Sequence, residues 1–413
     1  MPQINSKRLK SLLDGVNCHG RNPETGGYNR VAYSDADMAV RRWFAERMRA
    51  DGLSVSMDGV ANVFGRYGPA DGPAILAGSH LDTVPEGGAF DGALGACVAL
   101  ECVRAMQDAE FRPAIAIEVV ATADEEGRFG GMLGSQALAG GLSRRDIEQA
   151  RDADGIGLAE AMALQGLDAF DALRCARPPG SVLGFLELHV EQGPVLEGRG
   201  IPIGIADSVA GVSNLMIHFE GTANHSGTTP MDMRADAFAG LADFAVGLPD
   251  LIERGGSDAA RITIGKVDLA PNFPHTIPGV AAFTVNIRDV DEAVQRSLTH
   301  AVTRRAQDVA GNRGLAVSIE ELSWLSPVGL DADLVGLLRQ EADALALESL
   351  VMASGAGHDA QTMQALCPSA LVFVPSKAGL SHAPNEQTDW PDIEKGAQLM
   401  LNALIRLSSS ARG

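Results

Sequence analysis

The spacing of apolar residues changes character repeatedly along this chain, and each change marks an element. Between Ser34 and Asp51, Val40, Trp43, Phe44 and Met48 recur at helical spacing behind a Ser/Asp start, and Gly52 stops the pattern, which predicts an amphipathic surface helix. Leu53, Val55 and Met57 then alternate with Ser54, Ser56 and Asp58, as in a half-buried strand, and Ala61–Tyr67 and Ala74–Ser79 continue the sheet. A helix from about Gly92 to Gln107 follows, and the run 114–121 is apolar enough for a sheet interior. Residues 143–179 are polar, alanine-rich helical patterns without readable chemistry, and Val182–Val190 is strand-like. Strand alternating with helix predicts an α/β layered architecture.

The pattern shifts after Ile201-Pro-Ile-Gly204. Leu215, Ile217 and Phe219 alternate with Met216, His218 and Glu220; then come a helix from about Met233 to Val246, strands at Ile262–Val267 and Ala281–Ile287, a long helix from Asp291 to Ala310 and a strand at Leu315–Ile319. The order βαββαβ is the split, ferredoxin-like arrangement. It predicts an inserted lid domain over 209–325, between a first part (1–208) and a second part (326–413) of the α/β domain. In that last part a helix from about Asp331, a strand at Leu350–Ala353, the Gly-rich SGAGHDA, a strand at Ala370–Val374, a loop with His382 and a closing helix resume the first pattern.

Composition narrows the function. A chain of 413 residues is long for one core, and two domains are expected. The formal charge of -20 without a basic stripe argues against nucleic acid as a partner. No apolar run reaches the roughly 20 residues of a membrane span, and Met1–Leu13 lacks the apolar core of a signal peptide, so a cytoplasmic protein with no membrane partner is expected. Five cysteines without framework spacing suit a reducing compartment, and all five read as small buried hydrophobes.

The chemistry gathers at predicted strand ends. GSHLDTVPEGGAFDGALG, Gly78–Gly95, places His80 and Asp82 at the C-terminal end of the buried run 74–77 and carries Asp91 to the start of a helix. Open α/β sheets keep their sites at such ends, and imidazole with carboxylate is ligand chemistry for zinc, manganese or nickel. Taken alone, His80 could equally be a satisfied core histidine and Asp91 a helix cap. The next strand ends in Asp124-Glu125-Glu126-Gly127. Side chains alternate along extended backbone, so Glu125 and Glu126 can divide the work, one binding metal and the other facing water; an exposed acidic turn is the plainer reading. His189 closes a third apolar strand, and Gln192 nearby offers a donor and an acceptor for an amide or ureido group.

These stretches, with ATADEEGRFGGMLGS, FLELHVEQGPVLE, GTANHSGTTPMDMR and VPSKAGLSHAPNEQTDW, resemble the amidase/hydantoinase/carbamoylase branch of the dinuclear-metal aminoacylase superfamily, from about residue 30 to 400 and in the same order. The resemblance implies a zinc-peptidase-like catalytic domain with the insertion as lid and dimerisation domain. Two divalent ions per subunit, zinc, manganese, cobalt or nickel, would be held by His80, Asp91 and His189 and by Asp91, Glu126 and His382, with Asp91 as the bridge. Glu125 would be the general base, and Asp82 would fix the His80 tautomer. His225 would stabilise the oxyanion from the partner subunit of a homodimer. Arg288 would clamp a substrate carboxylate, with Ion-pairing to Asp289 as its plainer role, and Gln192, Asn272, His275 and Gly357 would touch substrate. The implied activity is removal of an N-carbamoyl group from an α-amino acid. Allantoate hydrolysis, peptidase or aminoacylase activity, and a metal-free binding protein are the alternatives. Three departures bear on substrate identity: His275 where Asn is usual, Val212 where relatives carry Gln, and a short loop after Glu126.

Overall fold

The structure, a computed structural model, describes residues 2–409. In chain order its main elements are α1 (Ser6–Val16), α2 (Asp35–Ala50), β1 (Ser54–Met57), β2 (Val63–Tyr67), β3 (Ala74–His80), α3 (Ala93–Asp108), β4 (Ala116–Thr122), β5 (Val182–Val190), β6 (Ile203–Val209), β7 (Gly211–Glu220), α4 (Ala237–Val246), α5 (Leu248–Gly255), β8 (Arg261–Ala270), β9 (Val280–Asp289), α6 (Glu292–Arg313), β10 (Ala316–Leu325), α7 (Ala332–Ala344), β11 (Ser349–Ser354), β12 (Ser369–Val374) and α8 (Trp390–Ser409). Among the described residues one compact unit runs to Asp207 and resumes over Leu330–Met352 and from Gly357; the other comprises Ser208–Gly329 and Ala353–Ala356.

The first unit is built on a mixed sheet of order β1-β2-β4-β3-β5-β12-β6. Its centre is parallel: β3 pairs with β4 and with β5, and β5 with β12. Every residue of β3 and β4 is buried, as expected of parallel strands covered on both faces. The covering helix α3 is apolar nearly all round; it shares one core with α1, α2 and α8. Because the central strands run the same way, His80, Thr122, Val190 and Val374 all end at one edge of the sheet. The loops that leave that edge carry the candidate chemistry.

The second unit is a four-stranded antiparallel sheet of order β10-β7-β9-β8, with the first strand beside the third, as in a split βαββαβ. Inner residues of β7 alternate with outer ones, and Phe219, Phe244 and Phe283 pack with ring centroids 5.3 to 6.3 Å apart. Two features depart from the sequence expectation. A one-turn 3-10 helix at Met231–Met233 precedes α4, which starts only at Ala237, where Asp236 accepts from the Ala239 amide. An additional helix, α5, follows at once, with Pro249 in its first turn.

Helix α2 is not simply a surface helix. Arg41 and Asp37 on it are fully buried. Arg41 Nε donates to Asp37 at 2.8 Å, Nη2 to Asp82 at 3.3 Å, and Nη1 to the carbonyls of Ala61, Ala121 and Thr122 at 3.2, 3.3 and 2.8 Å. Burial pushes Asp37 up to about 6 even with Arg41 beside it. The guanidinium thus ties α2 to the end of β4 and to the loop after β3. The expectation for the cysteines also needs correcting, since Cys18 is exposed and Cys175 half-buried.

Replacing Arg41 with Met should lower the free energy of unfolding by about 3–5 kcal/mol, because Asp37 and Asp82 would be left buried without a counter-charge. Chemical denaturation followed by circular dichroism measures it; an unchanged midpoint would contradict the assignment.

Candidate metal centre

His80, the last residue of β3, and His189, near the end of β5, are both buried and turn their imidazoles toward each other, with ring centroids 5.8 Å apart. Each is held from behind. His80 Nδ1 lies 3.0 Å from the Asp82 carbonyl and His189 Nδ1 2.9 Å from the Val190 carbonyl. A ring whose Nδ1–H is committed to a carbonyl carries its lone pair on Nε2, the ligand nitrogen; in His189 that nitrogen also accepts from the Gly92 amide at 3.2 Å. Asp82 therefore sets the His80 tautomer through its main chain. Its carboxylate is engaged by Arg41 and by the Glu126 amide at 3.2 Å.

Asp91 stands between the imidazoles. Its Oδ1 lies 3.0 Å from His189 Nε2 and 3.4 Å from His80 Nε2, while Oδ2 lies 3.2 Å from His382 Nε2. His382 Nε2 is also 3.3 Å from Glu126 Oε2. Gly92 makes the approach possible: it has φ 60°, and a Cβ there would run into the His80 ring. Glu125 Oε2 faces His80 Nε2 at 3.6 Å. Gln192 Nε2 donates to Asp91 Oδ2 at 2.8 Å, and its buried Oε1 has no partner.

The electrostatics call for a cation. Burial works against charge on His80, but Glu125 and Asp91 outweigh it and hold the imidazole well above its usual range. The hydrogen bond to Asp91 raises His382 to about 9. Burial, then the Asp91 charge, raises Glu126 to about 7, and burial drives Glu125 well above the carboxylate range. Burial also disfavours an ionised Asp91, yet His189 and the other imidazoles keep it well below its usual value. Nitrogen lone pairs aimed at carboxylate oxygens repel unless a proton or a metal lies between them. The donor atoms fit a metal. Those of His80, Asp91 and His189 lie within 4.8 Å of one another, as do those of Asp91, Glu126 and His382.

The remaining expected residues sit as follows. Gly357 lies in the loop before His358, where a Cβ would meet the Met132 side chain. In the second unit His225 is exposed, on a short strand paired with Thr276–Ile277. Its Nδ1 accepts from the Gly227 and Thr228 amides at 3.0 and 3.2 Å, so the neutral ring carries its proton on Nε2 as a free donor. Asn272 and His275 are exposed in the adjoining turn, where the His275 carbonyl accepts from the Ser226 amide. Arg288 stands opposite Val212 across the β7–β9 ladder. It donates to Asn286 at 2.9 Å and to the Gly355 carbonyl. Among the described residues no acid pairs with Arg288; Asp289 instead accepts from Ser257 and from the Asp291 amide.

Three polar residues around the centre went unread in the sequence. His358 packs edge-on against His189, with centroids 4.5 Å apart, and its Nε2 is buried without a partner. Ser381 and Glu386 flank the His382 loop, and Ser381 Oγ lies 3.0 Å from Asp91 Oδ2. Their positions in the same motif as His382 were the available signal.

The model of the peptidase family M20/M25/M40 matches residues 76–406, a span that takes in the whole His80–His382 cluster. The chain belongs to this family. Within it, the chain is 36% identical over 388 residues to an N-carbamoyl-L-amino-acid amidohydrolase of Paenarthrobacter aurescens, covering 93% of this chain and 94% of the relative. It is 32% identical to the allantoate amidohydrolase of Escherichia coli, covering 97% of both chains. A crystal structure of a hydantoinase/carbamoylase family amidase from Burkholderia multivorans superposes with a TM-score of 0.90 at 32% identity, over 99% of both chains. As a member of the M20 family the protein is a metal-dependent hydrolase, and its imidazole–carboxylate clusters could hold a metal ion.

If the cation displaces the protons now shared by these ligands, uptake of a divalent ion by the metal-free protein at pH 7 must release protons. At that pH His382, at about 9, is largely protonated and Glu126, at about 7, roughly half protonated, and a metal would expel those protons. Titration calorimetry in buffers of different ionisation enthalpy measures the number, which should be positive; zero net release would contradict the placement of the metal on these side chains.

Proposed function

We propose that this enzyme hydrolyses the ureido group of an N-carbamoyl α-amino acid, releasing the amino acid, carbon dioxide and ammonia. The observation that carries the reading is the division of the Asp91 carboxylate, with one oxygen toward His80 and His189 and the other toward His382 and Glu126. That arrangement suits two divalent ions, zinc, manganese, cobalt or nickel, one on His80, Asp91 and His189 and the other on Asp91, Glu126 and His382. Such ions would polarise the ureido carbonyl and acidify water. Glu125, within reach of the same rim but no closer than 3.6 Å to the nearest imidazole, is the group free to move a proton. It takes one from the attacking water and hands it to the leaving nitrogen. His225 Nε2–H donates to the oxyanion. Arg288, desolvated and without an acid of its own, offers its planar fork to the substrate carboxylate.

The similarity to an N-carbamoyl-L-amino-acid amidohydrolase supports this substrate class, and that to an allantoate amidohydrolase supports the alternative, since allantoate also joins ureido groups to a carboxylate. His275 and Val212, next to His225 and opposite Arg288, are the residues we assign to the choice between them. The working unit we propose is a cytoplasmic homodimer in which His225 serves the other subunit. Unpaired cysteines accord with a reducing compartment, and no helix among the described residues is long and apolar enough to cross a membrane.

Ammonia release from a panel of N-carbamoyl amino acids and allantoate, with amino-acid release from dipeptides measured alongside, tests the assignment, with N-carbamoyl α-amino acids expected to be the best substrates; preference for a dipeptide would refute it. On the best substrate Arg288→Lys should reduce kcat/KM by roughly ten- to hundred-fold, since one charge-assisted hydrogen bond is worth about 1.5–3 kcal/mol. The matching uncharged amide should be a poor substrate and indifferent to the change. Equal efficiency on acid and amide would remove Arg288 from substrate binding.

Glu125→Gln should retain its metal and lose at least about hundred-fold in kcat, the usual scale for a general base. Mixing it with His225→Ala protomers should restore some activity, because one hybrid site would hold both wild-type residues. No recovery in demonstrably mixed dimers would mean that His225 serves its own subunit.

A further inference from the structure

We propose that Glu386, which binds no metal itself, is the positioning residue that retains the ion on the His382 side of the centre; the inference rests on the dinuclear reading above. The two halves of the centre are supported unequally. His80 and His189 are buried at strand ends, with Nδ1 fixed on main-chain carbonyls. His382 lies on a loop, its side chain is 48% exposed, and its backbone has φ 54°, in the left-handed region that a residue with a side chain seldom adopts. A ligand on such a loop is only as well placed as the contacts that hold the loop.

Glu386 supplies them. Its side chain is buried, and its Oε1 accepts from the amides of Phe90 and Asp91 at 2.9 and 3.0 Å. Its Oε2 accepts from the hydroxyl of Ser381, the residue before His382, at 2.7 Å. One carboxylate thus joins the loop that presents the bridging Asp91 to the loop that presents His382. Gly88 leaves the space it occupies, since a Cβ there would collide with the Glu386 carboxyl group. Asp91 has a further support that His382 lacks: the Leu94 amide donates to the Phe90 carbonyl at 2.9 Å in the first turn of α3. Without Glu386, α3 would still aim Asp91 Oδ1 at His80 and His189, while the 381–386 loop would lose its tie to the Phe90 and Asp91 amides and keep the side-chain contacts of Ser381 and His382 with Asp91 Oδ2. A purely structural carboxylate would instead weaken both ions together, or neither.

The test titrates zinc into the metal-free full-length protein by calorimetry and counts bound zinc after desalting. Wild type should take up two ions. In Glu386→Ala one affinity should fall by roughly 10–100-fold, the range for groups that orient metal ligands, while the other is unchanged. Glu386→Gln keeps an oxygen for the two amides and should recover part of the loss. Ser381→Ala, which removes a single hydroxyl and threatens the fold least, should weaken the same ion. Adding Glu386→Ala to His382→Ala should cost nothing more at the ion that remains, because both changes act on one position. Unchanged affinities in folded variants, an equal fall in both, or an additive loss in the double variant would overturn the proposal. A wild type that binds one ion would instead remove the dinuclear reading, and the inference with it.

Discussion

A buried carboxylate surrounded by three imidazoles is the constraint on which this structure turns. Asp91 is nearly inaccessible to water, yet it faces His80, His189 and His382 at 3.0 to 3.4 Å. Removing such groups from water is expensive unless opposite charge compensates each of them. The imidazoles alone can do so only as cations; burial opposes this at His80 and His189, and the neighbouring carboxylates outweigh it. A metal-dependent family resolves the conflict directly, since a divalent ion lets the imidazoles stay neutral and the carboxylates stay charged.

Much of the first unit can be understood as the means of keeping those groups in place. Parallel strands covered on both faces end at one edge and deliver two of the histidines there. Arg41 neutralises Asp82 behind the centre, and Asp82 in turn receives the Glu126 amide, so a charge network on α2 reaches a candidate ligand through two contacts. On the other side Glu386 does similar work with main-chain amides. Pre-formed support of this kind limits how far ligands relax when a metal leaves, and it is as much a part of the site as the donor atoms.

The α/β character of the chain was legible because its central strands are short, largely apolar and bounded by Gly and Pro. The second unit was legible in outline from period-two alternation on β7 and β9. Local detail was less so. Helix α5 was hidden because Gly247 and Pro249 look like a break rather than a junction between helices. Strand β10 runs on to Leu325 because a register shift between Glu321 and Ser323 restores the pairing that the acidic pair interrupts in the pattern. Around the centre, motif spacing pointed to the groups that could bind metal but not to their supports. Arg41 sits in an amphipathic helix and reads as a surface charge; only the packing reveals that it is buried against Asp37 and Asp82. For the same reason the contact of the Asp82 carboxylate with Arg41 could not be read in advance, because the two lie 41 residues apart in the chain.

The most direct measurement is anomalous diffraction from crystals of the zinc- or manganese-loaded protein. The account predicts two peaks flanking the Asp91 carboxylate, one beside His80 and His189 and the other beside Glu126 and His382. A single peak, or density that leaves Asp91 uncoordinated, would contradict it.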